Sequence, residues 1–214
     1  MRHVRFAPYS RHAELPDALE DHDLMPMSTS VPRYTADEIR RFPDDRLRYE
    51  VIHGQLFVTP SPGTRHQRAV RELTRLLQAY LVRHQLGECL TAPFEVLFAD
   101  DSAVQPDLLV VLASQRDRLT AERFHGAPSL VVEVVSFSSK RTDRLEKREL
   151  YRAERVAEYW VVDTDRRHVE RWRPGDESPE IVTTELVWRP VASAPALAIA
   201  LEPLFQVVWE GLER

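Results

Sequence analysis

Two apolar runs decide the fold: Val104-Gln-Pro-Asp-Leu-Leu-Val-Val-Leu112 and Leu130-Val-Val-Glu-Val-Val135. Their near-continuous β-branched and leucine content predicts strands covered on both faces. Each run carries one carboxylate, Asp107 and Glu133, where an apolar residue is expected. A turn is expected at Ser136–Lys140, followed by a helix over Thr142–Glu154. On that helix Asp143, Lys147, Leu150 and Tyr151 recur at i, i+4, i+7 and i+8, so Lys147 faces inward. Buried carboxylates without partners are penalised by several kcal/mol, roughly, so they titrate, pair or hold a cation. Two readings stay open on the residues alone. Either Asp107 and Glu133 meet at adjacent strand ends around a hard divalent ion, which oxygen ligands favour, or they sit at exposed ends and pair with arginines.

Outward from this segment the pattern is that of a mixed α/β domain. Thr35-Ala-Asp-Glu38 is a capping box that opens a short helix ending at Phe42. Leu47–His53 and Gln55–Thr59 flank Gly54 as a hairpin, with Glu50 inside its first strand. Thr64–His84 is the clearest helix, with Val70, Leu73, Leu77, Tyr80 and Leu81 on one face. His66 lies on the apolar side of that helix, as a hydrogen-bonded core histidine or a catalytic one. Arg68, Arg71 and Arg75 fall opposite, as a solvated face or a phosphate-contacting one. Cys89–Ala99 reads as a strand pair or one long strand, Ser114–Gly126 as a short helix and loop. Val156–Asp163, His168–Arg173 and Ile181–Trp188 read as further strands. The apolar tail Leu201–Trp209 packs on the core or forms an interface.

The bulk properties bound the function. At 214 residues the chain supports one good core, with residues 1–30 as a flexible N-terminal arm and 31–214 as a single domain. Apolar content of 43% and charged content of 29% describe an ordinary globular domain. No apolar run spans a membrane, and no secretory signal is visible. The single cysteine, Cys89, excludes an internal disulfide framework and a cysteine zinc site. A cytoplasmic setting follows as the expectation. A net charge of −5 gives no general attraction to nucleic acid, so any such contact must be local. Lys140 and Lys147 are the only lysines in an arginine-rich chain.

The residues now on the page resemble the Uma2 family of restriction-endonuclease-like proteins. The resemblance runs through Arg48-Tyr-Glu50-Val-Ile-His-Gly54, His66, Pro106-Asp107, Gly126-Ala-Pro128, Val132-Glu133-Val-Val-Ser136, the series Asp143, Lys147 and Tyr151, and Glu158-Tyr-Trp160-Val-Val-Asp163. It covers about residues 33–210. Each motif is short, but seven in register are specific. The resemblance implies a PD-(D/E)XK nuclease core: a four-stranded mixed β-sheet flanked by helices, with additional β-hairpins. It implies Mg²⁺- or Mn²⁺-assisted hydrolysis of DNA.

Carried over position by position, Asp107 and Glu133 are the metal acids and Glu50 is an additional acid upstream. The main-chain carbonyl of Val134 is a further ligand. The superfamily's lysine, absent at Val135, has moved to Lys147. His53 stands where the family commonly has aspartate, which removes no ligand. His66 is expected to contact a phosphate or orient Glu50. Arg65, Arg68, Arg71 and Arg75, or the Arg116–Arg123 loop, are expected at the DNA phosphates. A homodimer is expected because cutting both strands calls for two sites. Removing a metal acid is expected to spare the fold and even relieve repulsion. The competing classes are a catalytically silent nuclease-fold module that binds nucleic acid or a protein partner, and a structural dimer whose acids pair with arginines.

Overall fold

The computed structural model describes residues 32–45, 47–59, 61–135 and 142–212, with 142–144 by backbone alone. The expected arm over 1–30, the turn Ser136–Lys140 and the facing of the Asp143 side chain lie outside the described residues. In chain order the elements are α1 (Ala36–Ile39), β1 (Arg48–Ile52), β2 (Gln55–Thr59), α2 (Thr64–Arg83), β3 (Gly87–Thr91), β4 (Glu95–Ala99), β5 (Ser102–Val104) and β6 (Leu108–Leu112). There follow β7 (Arg123–His125), β8 (Leu130–Val135), α3 (Arg148–Ala153), β9 (Tyr159–Asp163), β10 (His168–Trp172), β11 (Glu180–Val182), β12 (Glu185–Trp188), β13 (Leu197–Ala200) and α4 (Leu201–Trp209). A 3₁₀ turn, Ala113–Arg118, follows β6, and a π-helical turn, Thr142–Lys147, leads into α3.

The fold is α/β with mixed sheets flanked by helices. The large sheet has the order β11-β10-β9-β8-β6-β3, and the smaller one β2-β1-β5-β4-β7. In the large sheet β8 runs parallel to β9 and antiparallel to β6. It has six strands where the family resemblance implied four, because β3 and β11 extend its edges. The β12–β13 hairpin stands apart.

Period-two alternation sends successive side chains of the large sheet into two different cores. Leu108, Val110, Val132, Val134, Trp160 and Val162 pack with Leu73, Leu77 and Leu81 of α2 and with Leu204, Phe205 and Val208 of α4. Leu109, Val111, Val131, Val135 and Val161 pack the other way, against Ile52, Val96 and Val104 of the small sheet and Leu150 and Tyr151 of α3. β6 and β8 are buried at every residue, as unbroken apolar runs require. The C-terminal stretch from Leu186 to Val208 is largely spent on the first core.

Several boundaries differ from the sequence pattern, each for a local reason. Val104–Leu112 is not one strand: Val104 ends β5 in the small sheet and Leu108 begins β6 in the large one. Pro106 has no N–H to continue a ladder, so Gln105-Pro106-Asp107 becomes the crossing between sheets. Cys89–Ala99 divides in the same way around Pro93, with β3 and β4 in different sheets. Ile181–Trp188 divides into β11 and β12 at Thr183-Thr184. The polar Ser114–Gly126 segment contains β7, which owes its extended form to parallel pairing with β4. The hairpin β1–β2 turns through His53 (φ 49°) and Gly54 (φ 80°), the paired positive angles of a type I′ turn. Among the described residues no helix is long and apolar enough to cross a membrane.

The α2 seam gives a direct test of the first core. Leu73→Ala, at a site with no exposure, is expected to lower unfolding free energy by about 2–5 kcal/mol. Val82→Ala, on the exposed face of the same helix, should change it by less than about 0.5 kcal/mol. Urea denaturation of the two variants measures both.

Candidate active site

The same alternation that builds the second core aims the polar residues at it. Arg48, Glu50 and Ile52 share one face of β1, and Ile52 lies in the core between the sheets. Glu133 shares a face of β8 with Val131 and Val135. Lys147 sits one turn before Leu150 and Tyr151, which line that core from α3. Asp107 occupies the crossing between β5 and β6. Side chains from both sheets, from α2 and from the turn before α3 thus reach one region.

Lys147 is the junction. Its Nζ donates to Glu133 Oε1 at 2.8 Å and lies 2.9 Å from Glu50 Oε1. The Tyr151 hydroxyl donates to the same Glu133 oxygen at 2.9 Å, and the Gln105 main-chain N–H donates to Glu50 Oε1 at 2.7 Å. Around Asp107, Arg48 Nη1 reaches Oδ1 at 2.9 Å, His66 Nε2 reaches Oδ2 at 2.8 Å, and the Val134 N–H donates to Oδ2 at 2.8 Å. Glu50, Glu133 and Lys147 are each 1% exposed and Asp107 is 3% exposed. All are out of bulk water, where unpaired charge is most costly.

The electrostatics follow from this pairing. Burial works against ionising Asp107, but the His66 hydrogen bond and the charges of His66, Arg48 and Lys147 outweigh it and hold the carboxyl at about 2. Burial, reinforced by the neighbouring Glu133, pushes the Tyr151 phenol well above its usual value, so it remains a hydrogen-bond donor. Burial opposes the Arg48 charge, yet Asp107, Glu50 and Glu133 raise its pKa. Burial pushes the Cys89 thiol up to about 12, which leaves it a poor nucleophile.

The sequence-selected acids, Lys147 and His66 are therefore brought together. His66 bonds Asp107 rather than orienting Glu50, because its α2 face looks onto the β5–β6 crossing. Its Nδ1 is buried with no hydrogen-bond partner among the described residues. Val134 presents its N–H to Asp107. Two participants were not assigned a role from sequence, although spacing marks them: Arg48 is two residues from Glu50 on a strand, and Tyr151 is four from Lys147 on a helix. The Gln105 N–H has no sequence signal.

The arginines of α2 lie outside this cluster. Arg65 pairs with Asp165 at 2.8 Å and stacks over Trp209 at 4.3 Å, and Arg68 donates to the Val208 and Glu210 carbonyls. Arg71 and Arg75 flank Glu72 and stay well exposed.

As a metal centre, the donor set has the right chemistry: three carboxylates supply hard oxygen atoms suited to Mg²⁺ or Mn²⁺. The arrangement is an ion-pair network, with the Lys147 ammonium shared by two of those carboxylates. Among the described residues no group of three or more His, Cys, Asp or Glu side chains is arranged to hold a metal ion. Each acid has a protein cation as partner, Arg48 for Asp107 and the shared Lys147 for Glu50 and Glu133.

A family model described as "Uma2: Putative restriction endonuclease" matches residues 36–202. The fold is similar to a crystal structure described as "a putative nuclease belonging to DUF820 from Anabaena variabilis ATCC 29413". The TM-score is 0.67 at 18% identity, covering 81% of this chain and 98% of that one. At that identity the likeness is one of fold. No curated protein matches.

Two measurements test the network. A carboxyl held near 2 in the folded chain, against ~3.9 when unfolded, contributes on the order of 2 kcal/mol above pH ~4. Because the folded value is the lower one, this contribution is lost as pH falls from ~4 towards ~2. Thermal melts of the parent should drop through that window, and Asp107→Asn should lack this component. Separately, Lys147→Ala leaves Glu50 and Glu133 facing each other and should cost about 3–5 kcal/mol in urea. Adding Glu50→Gln and Glu133→Gln should recover part of the loss.

Proposed function

The chain belongs to the Uma2 family, and on that premise we propose that it is a divalent-metal-dependent endonuclease hydrolysing DNA phosphodiester bonds. The observation that carries this reading is the convergence of Glu50, Asp107, Glu133 and Lys147 from two sheets and a following helix. Asp107, Glu133, Glu50 and the Val134 carbonyl are the residues that would hold Mg²⁺ or Mn²⁺. A bound ion of this kind supplies a Lewis acid and a water of lowered pKa.

The chain's own residues do the remaining work in this proposal. Lys147, kept protonated between two carboxylates, stabilises negative charge growing on the phosphate. Arg48 and His66 hold the Asp107 carboxylate in one orientation, and Tyr151 does the same for Glu133. Arg65, Arg68, Arg71 and Arg75 are the proposed phosphate contacts, with Arg71 and Arg75 the most available because they are exposed. The setting proposed is the cytoplasm, as a homodimer with one site for each strand.

A second reading is favoured by a specific feature: Asp107 already has Arg48, His66 and the Val134 N–H as protein partners. That closed network suits a catalytically silent module that binds nucleic acid or a protein partner. Calorimetric titration with Mn²⁺, comparing the parent with Glu133→Gln, separates the two. The nuclease reading expects heat from the parent that the variant loses, and the silent module expects none from either.

For the activity itself, Asp107→Asn should abolish Mg²⁺-dependent nicking of supercoiled DNA; nicking equal to the parent's would overturn the assignment. Arg71→Ala with Arg75→Ala should reduce the slope of log affinity against log salt by about 2. An unchanged slope would remove those two arginines from the DNA surface.

A further inference from the structure

A cavity of about 330 Å³ lies between α3 and the loop that follows β10. Arg148 and Arg152 line it from the helix and Trp172 and Arg173 from the strand end, while Tyr151 and Tyr159 lie beneath. Its size is at the small end of ligand pockets, so it suits one small molecule or one unit of a polymer and excludes a duplex.

Its chemistry is specific. The Arg148 guanidinium stands 4.8 Å from the centre of the Trp172 ring, which makes a layered cation–aromatic edge. Tyr151 and Tyr159 meet edge to face at 4.8 Å. Two acids line the cavity from the loop: Asp176 accepts the main-chain N–H of Arg173 at 2.7 Å, and Glu177 is exposed. Arg173 itself is shared with Glu180. Arg148 and Arg152 bring two cations from the helix side, beside aromatic surface and opposite the loop that carries the acids. A planar ring joined to an anionic group satisfies both features at once.

Its position ties it to the carboxylate site. Tyr151 lines the cavity and also donates its hydroxyl to Glu133. Lys147 and Tyr151, four residues apart, face Glu133, while Arg148 and Arg152, also four apart, face the cavity. One short helix therefore presents the acid cluster on one side and this cavity on the next.

We propose that this cavity is a nucleotide subsite. It takes an unpaired nucleotide of the strand, with the base stacked on the Trp172–Arg148 edge and a phosphate against Arg152. The inference rests on the nuclease reading for the identity of the polymer. It implies that the preferred DNA has an unpaired base beside the scissile phosphate, since a stacked, paired base cannot enter so small a space.

The test uses the full-length chain in metal-free buffer and a short single-stranded DNA carrying one 2-aminopurine. Parent protein should quench the probe on binding. Trp172→Ala should remove the quench and weaken binding about tenfold, and Trp172→Phe should restore much of both. Arg152→Glu, an exposed change that leaves the core untouched, should weaken binding severalfold and lower the salt slope by about 1. Binding and quenching equal to the parent's in both Trp172→Ala and Arg152→Glu, or no quench in the parent, would overturn the subsite. Asp107→Asn separates this from the reaction: it should lose cleavage and keep probe binding. A parent that cleaves nothing but binds the probe through Trp172 and Arg152 keeps the subsite and defeats the nuclease reading. A parent that cleaves, with pocket variants indifferent to the probe, defeats the subsite alone.

Discussion

A buried ammonium group shared by two carboxylates is the constraint on which this structure turns. Lys147, Glu50 and Glu133 are each almost wholly removed from solvent. Desolvating three charges costs several kcal/mol per ion, roughly, unless geometry is good and the remaining lone pairs are filled. Here the Tyr151 hydroxyl adds a hydrogen bond to Glu133 and the Gln105 N–H one to Glu50. The three charges come from different parts of the chain: β1 of the small sheet, β8 of the large sheet, and the turn before α3. The triad can form only when both sheets and the helix have assumed their final positions. It therefore reports on, and helps specify, the relation between the two layers.

Asp107 shows how a backbone irregularity becomes a chemical resource. Pro106 ends pairing in the small sheet, and the chain crosses to the large one. Asp107 is left where α2, β1 and β8 all approach, so its carboxylate receives His66, Arg48 and the Val134 N–H together. A regular strand through this position would direct the side chain to one neighbour layer only. The lowered pKa of Asp107 is a consequence of that crossing.

The two apolar cores divide the labour. The α2–α4 side is built mainly of leucine and valine, with Trp160, Trp188, Phe205 and Tyr80 among them. The side shared with the small sheet and α3 is where every buried acid of the cluster projects. α3 is short, but its spacing lets it serve two surfaces, with Lys147 and Tyr151 towards the acids and Arg148 and Arg152 towards the neighbouring cavity. Membership of the Uma2 family gives this region its functional context.

Much of this was readable from residue order. The doubly covered strands followed from unbroken β-branched runs, α2 from its 3.6-residue stripe, and α1 from its capping box. Glu50, Asp107, Glu133, Lys147 and His66 could be singled out because charge at an apolar position is unusual and because the family motifs occur in register. Sequence could not assign partners. Whether Asp107 meets Arg48 or an ion, whether His66 serves Glu50 or Asp107, and whether Arg65 and Arg68 face solvent or α4 depend on distances between segments up to 142 residues apart. Local propensity carries no information at that range. The split strands around Pro93 and Pro106, and β7, were decided by ladder partners that exist only in the folded sheets. The amino acids thus determined which side chains had to be accommodated, and tertiary packing decided which of them neutralise one another, because a Coulombic pairing depends on separation in space rather than along the chain.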